Sequence, residues 1–266
     1  IDSGVIFVGA YGDDYLSKND SGSVFTFRKN TDTWAYESKI MANDSSATDL
    51  FGYSVAADGG YLVVGSPRDD DKGKDSGSVY IFKFNGSVWI QETKLVASDG
   101  GSEDAFGQNV DIDNDRIIVG SRYNTHSGKT NAGAAYVFRL IDGVWTHETK
   151  LTNGDLVVQY DYFGTDVSID NEQIVVSAIG FDLNESVVNI GAVYSFTFNN
   201  EEWVLNQRIS SNNSSNDWFG SVIALDGSYL IVGCSNCDVD SKTDAGEISI
   251  FYYINGTWEN ILTYVL

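Results

Sequence analysis

Residues 51–71 read FGYSVAADGGYLVVGSPRDDD: an apolar-polar strand, a tight turn at Asp58-Gly59, an apolar strand YLVVGS and a polar loop. Period-two alternation followed by turn residues is the pattern of a β-hairpin rather than of a helix. The same order of residues returns at Phe106, Phe163 and Phe219, in steps of 55, 57 and 56 residues. Tryptophan keeps an independent count at Trp34, Trp89, Trp145, Trp203 and Trp258, with steps of 55, 56, 58 and 55. A third marker is a small residue and glycine before an aromatic or apolar strand: SGSVFTF, SGSVYIF, AGAAYVF, IGAVYSF and AGEISIF. Three unrelated markers in one phase define a true internal repeat.

Each unit divides into four short strands, exemplified by FGYSVAAD, YLVVGS, GSVYIFKF and VWIQETKLVA. The last two are joined through Asn85-Gly86, a strong hairpin signal. Four antiparallel strands in about 55 residues, repeated along the chain, are the arithmetic of a propeller blade. The fold class expected is therefore all-β, a β-propeller of four-stranded antiparallel blades forming a single domain. Its units run over residues 1–50, 51–105, 106–162, 163–218 and 219–266. Strands two to four of the unit occur five times and strand one only four times, so the expectation is a five-bladed ring one strand short. Three explanations stay open: a window on a longer propeller, a ring with one three-stranded blade, or a strand supplied by another copy. The chain begins at Ile1 without a signal peptide, as expected of a processed product or a segment of something longer.

Composition narrows the partners. A net charge of −22 argues against nucleic acid, whose phosphates attract lysine and arginine. No apolar run approaches the length of a membrane-spanning helix.

The order FG, SVA, a short turn, LVVGSP and GSVYIF resembles the FG-GAP repeat family, whose best-known members are the integrin α-subunit propellers. It is more closely similar to a bacterial and protist variety with LVVG(A/S)P, acidic loops and a tryptophan hairpin. The resemblance implies a propeller fold at the cell surface or outside the cell. The integrin calcium motif, D-x-D-x-D-G between strands one and two, is reduced here to a two-residue turn. Asp111, Asp113 and Asp115 resemble it without its glycine, so integrin cation chemistry is not expected of this chain.

Acid gathers instead between strands two and three. Asp69, Asp71 and Asp75 in the second unit match Asp238, Asp240 and Asp244 in the fifth, counted back from the glycine of SG or AG. Carboxylates at this spacing suit a calcium ion held by oxygen ligands; the plainer alternative is that they cap backbone amides. N-glycosylation sequons stand at Asn19, Asn43, Asn85, Asn184, Asn212, Asn213 and Asn255. Cys234 and Cys237 are expected to form a local disulfide in an oxidising compartment. His126 and His147 have no nucleophile in a recognisable context, so no enzymatic activity is expected. The expected role is an extracellular adhesive or structural module, a bead in a fibre or surface assembly joined by strand complementation. Its partners would be other copies, extracellular proteins or glycans. The alternative is a carbohydrate-binding propeller, with Trp218, the one tryptophan off the repeat, as the stacking residue.

Overall fold

The computed structural model describes residues 1–15, 17–154, 157–210, 215–238 and 242–265. Among them the chain forms nineteen strands in five successive antiparallel sheets. The first sheet has three strands, β1 (Val5–Ala10), β2 (Ser23–Lys29) and β3 (Trp34–Ile40). The second has β4 (Val55–Asp58), β5 (Tyr61–Ser66), β6 (Ser78–Phe84) and β7 (Trp89–Leu95). The third has β8 (Asn109–Asp113), β9 (Arg116–Ser121), β10 (Ala134–Ile141) and β11 (Val144–Leu151). The fourth has β12 (Phe163–Asp170), β13 (Gln173–Ala178), β14 (Ala192–Asn199) and β15 (Glu202–Ser210). The fifth has β16 (Phe219–Asp226), β17 (Tyr229–Cys234), β18 (Glu247–Ile254) and β19 (Thr257–Val265).

The second strand of a blade explains the packing. Its side chains alternate between two faces, and both faces are apolar because each meets a neighbouring sheet. In β5, Leu62 and Val64 join the cluster of Val24, Ile40 and Phe51 behind them. Tyr61 and Val63 join Phe106, Val110, Ile112 and Trp145 in front. The FG phenylalanines fill the seam: Phe51 meets the rings of Tyr80 and Phe82, Phe106 those of Tyr136 and Phe138, and Phe163 those of Tyr194 and Phe196. Gly22, Gly77 and Gly133 bridge to Phe51, Phe106 and Phe163 of the following sheet. A Cβ on any of the three would fall within 2.1 Å of that phenylalanine's carbonyl oxygen, so no other residue serves there.

Every sheet also carries a bulge at the same place, where its last two strands meet, before Phe27, Phe82, Phe138, Phe196 and Phe251. A bulge increases local twist, and here it is part of the repeat. The sheets are further stitched at their inner turns. Asp2, Asp58, Asp113 and Asp170 accept hydrogen bonds from the backbone N–H of Gly60, Asn114, Asn171 and Gly227, each in the next turn along.

Candidate functional site

The loops leaving the second strands and the linkers entering the FG strands lie together on one rim. Each linker carries an aspartate two residues before phenylalanine, at Asp49, Asp104, Asp161 and Asp217, and all four are buried. Asp49 accepts from Ser46 N, Asp104 from Gly101 N and Asp161 from Val158 N, at 2.6, 2.8 and 3.0 Å. Burial pushes the Asp49 and Asp161 carboxyls up to about 6, against these hydrogen bonds. Sequence reading followed the phenylalanine and overlooked this aspartate, although the spacing D-x-F-G is identical in four units.

Asp69, Asp71 and Asp75 do not converge on one point, and the described residues include no group of three or more acids, histidines or cysteines arranged to hold a metal. In the second sheet a cation already stands there. The Lys94 ammonium lies 2.9 Å from Asp44, 2.9 Å from Asp69 and 2.7 Å from Asp71. Asp69 is buried and also accepts from Ser78 Oγ and Tyr80 OH. Burial works to lower the Lys94 pKa, but its hydrogen bonds to Asp71, Asp44 and Asp69 outweigh that and hold it above the usual lysine range. The arrangement repeats: Lys39 reaches Asp13 at 2.5 Å, and Lys150 reaches Asp99 at 2.6 Å and Asn124 Oδ1 at 2.9 Å. These lysines all stand five residues after the repeat tryptophan. Their long stems carry the charge from the outer strand over to the loop.

Asp75 lies by Lys74, at 3.3 Å, away from that cluster. The count from the glycine also misaligns two loops. Asp238 Oδ1 accepts from Asp244 N, just as Asp70, not Asp69, accepts from Asp75 N. Asp14 and Asp182 close their loops in the same way on Asp20 N and Asn189 N. Asp14, Asp70, Asp182 and Asp238 thus cap backbone amides of their own loops. Asp240 lies outside the described residues.

Asp111, Asp113 and Asp115 likewise serve three separate contacts. Asp111 accepts from Ser168 Oγ and Ile169 N, Asp113 from Asn171 N, and Asp115 pairs with Arg139 at 2.9 Å. Asn19, Asn43, Asn85, Asn184 and Asn255 are exposed, while Asn212 and Asn213 lie outside the described residues. Cys234 and Cys237 are joined by a disulfide, with Cα atoms 5.5 Å apart. Trp218 is 40% exposed on the rim. His126 has neither ring nitrogen hydrogen-bonded, and His147 packs edge-on to Phe138.

The residue just before each FG is the most unusual feature of the rim. Leu50, Ala105, Tyr162 and Trp218 all adopt left-handed backbone, with φ of 58°, 54°, 56° and 58°. Bulky residues rarely accept this conformation. It is held here by backbone bonds such as Ala105 N to Asp75 O, 3.1 Å, and Tyr162 N to Asn131 O, 3.2 Å. Ala105 in this position lines the notch between the second and third sheets. Tyr162 stacks edge-on to Tyr123 in its notch, with ring centroids 5.9 Å apart.

Consecutive four-stranded meanders stitched front to back define a blade-repeat, propeller-type protein. The FG-GAP repeat model matches residues 34–82, 89–138, 145–196 and 203–251, and the chain belongs to that family. No curated protein matches the sequence. Among solved structures, a protein of unknown function from Desulfotomaculum acetoxidans is similar at 12% identity and TM-score 0.57, over 92% of this chain and 63% of its own. The periplasmic gluconolactonase PpgL of Pseudomonas aeruginosa is similar at 12% identity and TM-score 0.59, over 98% of this chain and 68% of its own. This chain thus spans about two thirds of the length of either structure, and the likeness is one of fold.

Proposed function

We propose that the chain is a non-enzymatic extracellular module of adhesive or structural type, whose copies join front to back into a fibre or surface assembly. One observation carries this reading. Among the described residues nothing covers the front of the fifth sheet or the back of the first, and these faces repeat the two halves of the contact made between consecutive sheets. Tyr229 and Ile231 on β17 stand where Tyr61 and Val63 stand on β5, and Val8 on β1 stands where Val64 does. Val63 and Val64 are fully buried, whereas Ile231 and Val8 are 43% and 44% exposed. The other edge of β1 pairs with no strand among the described residues, so it can accept one by strand addition. A front-to-back contact that does not close on itself polymerises. Negative-stain images of concentrated protein should show chains of beads, lost in Val8→Asp; single particles in the wild type would defeat the reading. The disulfide supports an oxidising compartment, and the described residues contain no helix long and apolar enough to cross a membrane.

The exposed Trp218 favours a second reading, carbohydrate binding by the rim. A glycan array probed with wild type and Trp218→Ala tests it, with loss of signal in the variant as the supporting result. Lactone hydrolysis, suggested by the likeness to a gluconolactonase, finds less support. The repeated lysines and aspartates are engaged with one another and with backbone amides, and neither histidine stands in an acid-base pair.

A further inference from the structure

The repeat departs from itself at one notch. Where Leu50, Tyr162 and Trp218 project large side chains, the second unit ends on Ala105 in the same left-handed backbone. The missing side chain leaves a cavity of about 310 Å³ between the second and third sheets. Pro67, Ala105 and the ring of Tyr123 supply its apolar walls; Arg68, Asp75 and Glu103 supply charge of both signs, and Asn131 an amide. The Arg122 guanidinium lies 4.5 Å from the Tyr123 ring centroid and holds that ring in place.

We infer that this cavity is a binding site for a single neutral sugar ring. The volume is at the lower end of small-ligand sites and matches a monosaccharide rather than an extended cofactor. An aromatic wall suits the C–H face of a pyranose. Arginine donors and carboxylate acceptors around one rim satisfy hydroxyl groups, which donate and accept together. A chain of net charge −22 repels anions, so phosphate esters and acidic sugars are disfavoured against neutral ones. The inference deepens the carbohydrate reading and moves its centre from Trp218 to the Ala105 cavity.

The backbone supplies its own test, because Leu50 holds the equivalent position with the same left-handed φ, so leucine is compatible with that backbone. Saturation-transfer NMR would be recorded with the methyl glycosides of glucose, galactose and mannose. The comparison is among wild type, Ala105→Leu, Arg68→Ala and Trp218→Ala. The expected result is transfer from wild type to at least one glycoside, weakened about tenfold or more in Ala105→Leu and Arg68→Ala and retained in Trp218→Ala. Arg68 is exposed, so its variant decides the matter should Ala105→Leu fail to fold. Absence of transfer from all three glycosides overturns the site. Binding that survives filling the cavity overturns it too, as does loss in Trp218→Ala alone, which would leave the carbohydrate reading standing on the tryptophan.

Discussion

Tyr229 and Tyr61 hold the same register position in two blades, each at the start of the second strand, yet Tyr61 is 9% exposed and Tyr229 53%. The difference lies in what stands in front. Tyr61 meets Trp145 edge-on across the seam, with centroids 5.4 Å apart, whereas Tyr229 stacks only on Tyr252 of its own sheet among the ring contacts of the described residues. Gly246, at φ +82°, keeps the conformation in which Gly77 and Gly133 receive the next phenylalanine. The fifth blade therefore keeps the geometry with which the earlier blades receive the one that follows.

Lys94 should be the most costly charge to remove. Lys94→Met leaves the buried Asp69 facing Asp44 and Asp71 without a cation, at a cost of about 3 kcal/mol. Urea denaturation measures this directly. Because the ammonium already occupies the acidic loop, added calcium should leave the wild-type melting temperature unchanged; a rise would place a cation site there after all.

Stability should increase on mild acidification. Burial holds Asp49, Asp161 and Asp166 at about 6 in the folded chain, against an ordinary value of 3.8. A raised carboxyl binds its proton more tightly folded than unfolded, so its contribution is full below 3.8 and is lost as pH rises through about 6. The effect is on the order of 1–3 kcal/mol per group. Melting temperature at pH 5 should exceed that at pH 7.5, and Asp166→Asn should flatten the dependence. A melting temperature that falls between pH 7.5 and 5 would contradict this account of the buried aspartates.

The blade repeat was legible because its markers are apolar and small residues whose roles are fixed by the seam: Phe51 fills it, and Gly77 lets the backbones meet. What escaped was polar. Asp104 was passed over beside the conspicuous FG, and its task, closing the linker on Gly101 N, has no counterpart in a period-two pattern. Lys94 reads as a solvent-facing residue of an alternating strand, and only the folded chain brings its ammonium to Asp69. Counting from the glycine pairs Asp238 with Asp69, whereas its hydrogen bond makes it the equivalent of Asp70, because the loop of the second unit is one residue shorter.

The inner stitches should be additive in kind and modest in size. Asp113→Ala removes the acceptor of Asn171 N, 2.7 Å away in the next blade, and should cost about 1–2 kcal/mol. Hydrogen exchange at Asn171 should accelerate in the variant; unchanged protection would mean that the turn is held by its own blade.

The disulfide closes a very short loop, so its reduction should cost about 2 kcal/mol. Comparing melting temperatures with and without reductant tests this, and no change would show that the buried packing of Cys234 and Cys237 suffices.

Sedimentation velocity over a wide range of protein concentration, on wild type and Ile231→Asp, tests the front-to-back assembly most directly. The prediction is a wild-type mass that grows with concentration in multiples of 29.1 kDa, with the variant held at 29.1 kDa. A wild-type protein that stays at 29.1 kDa throughout would contradict assembly through the faces of Ile231 and Val8.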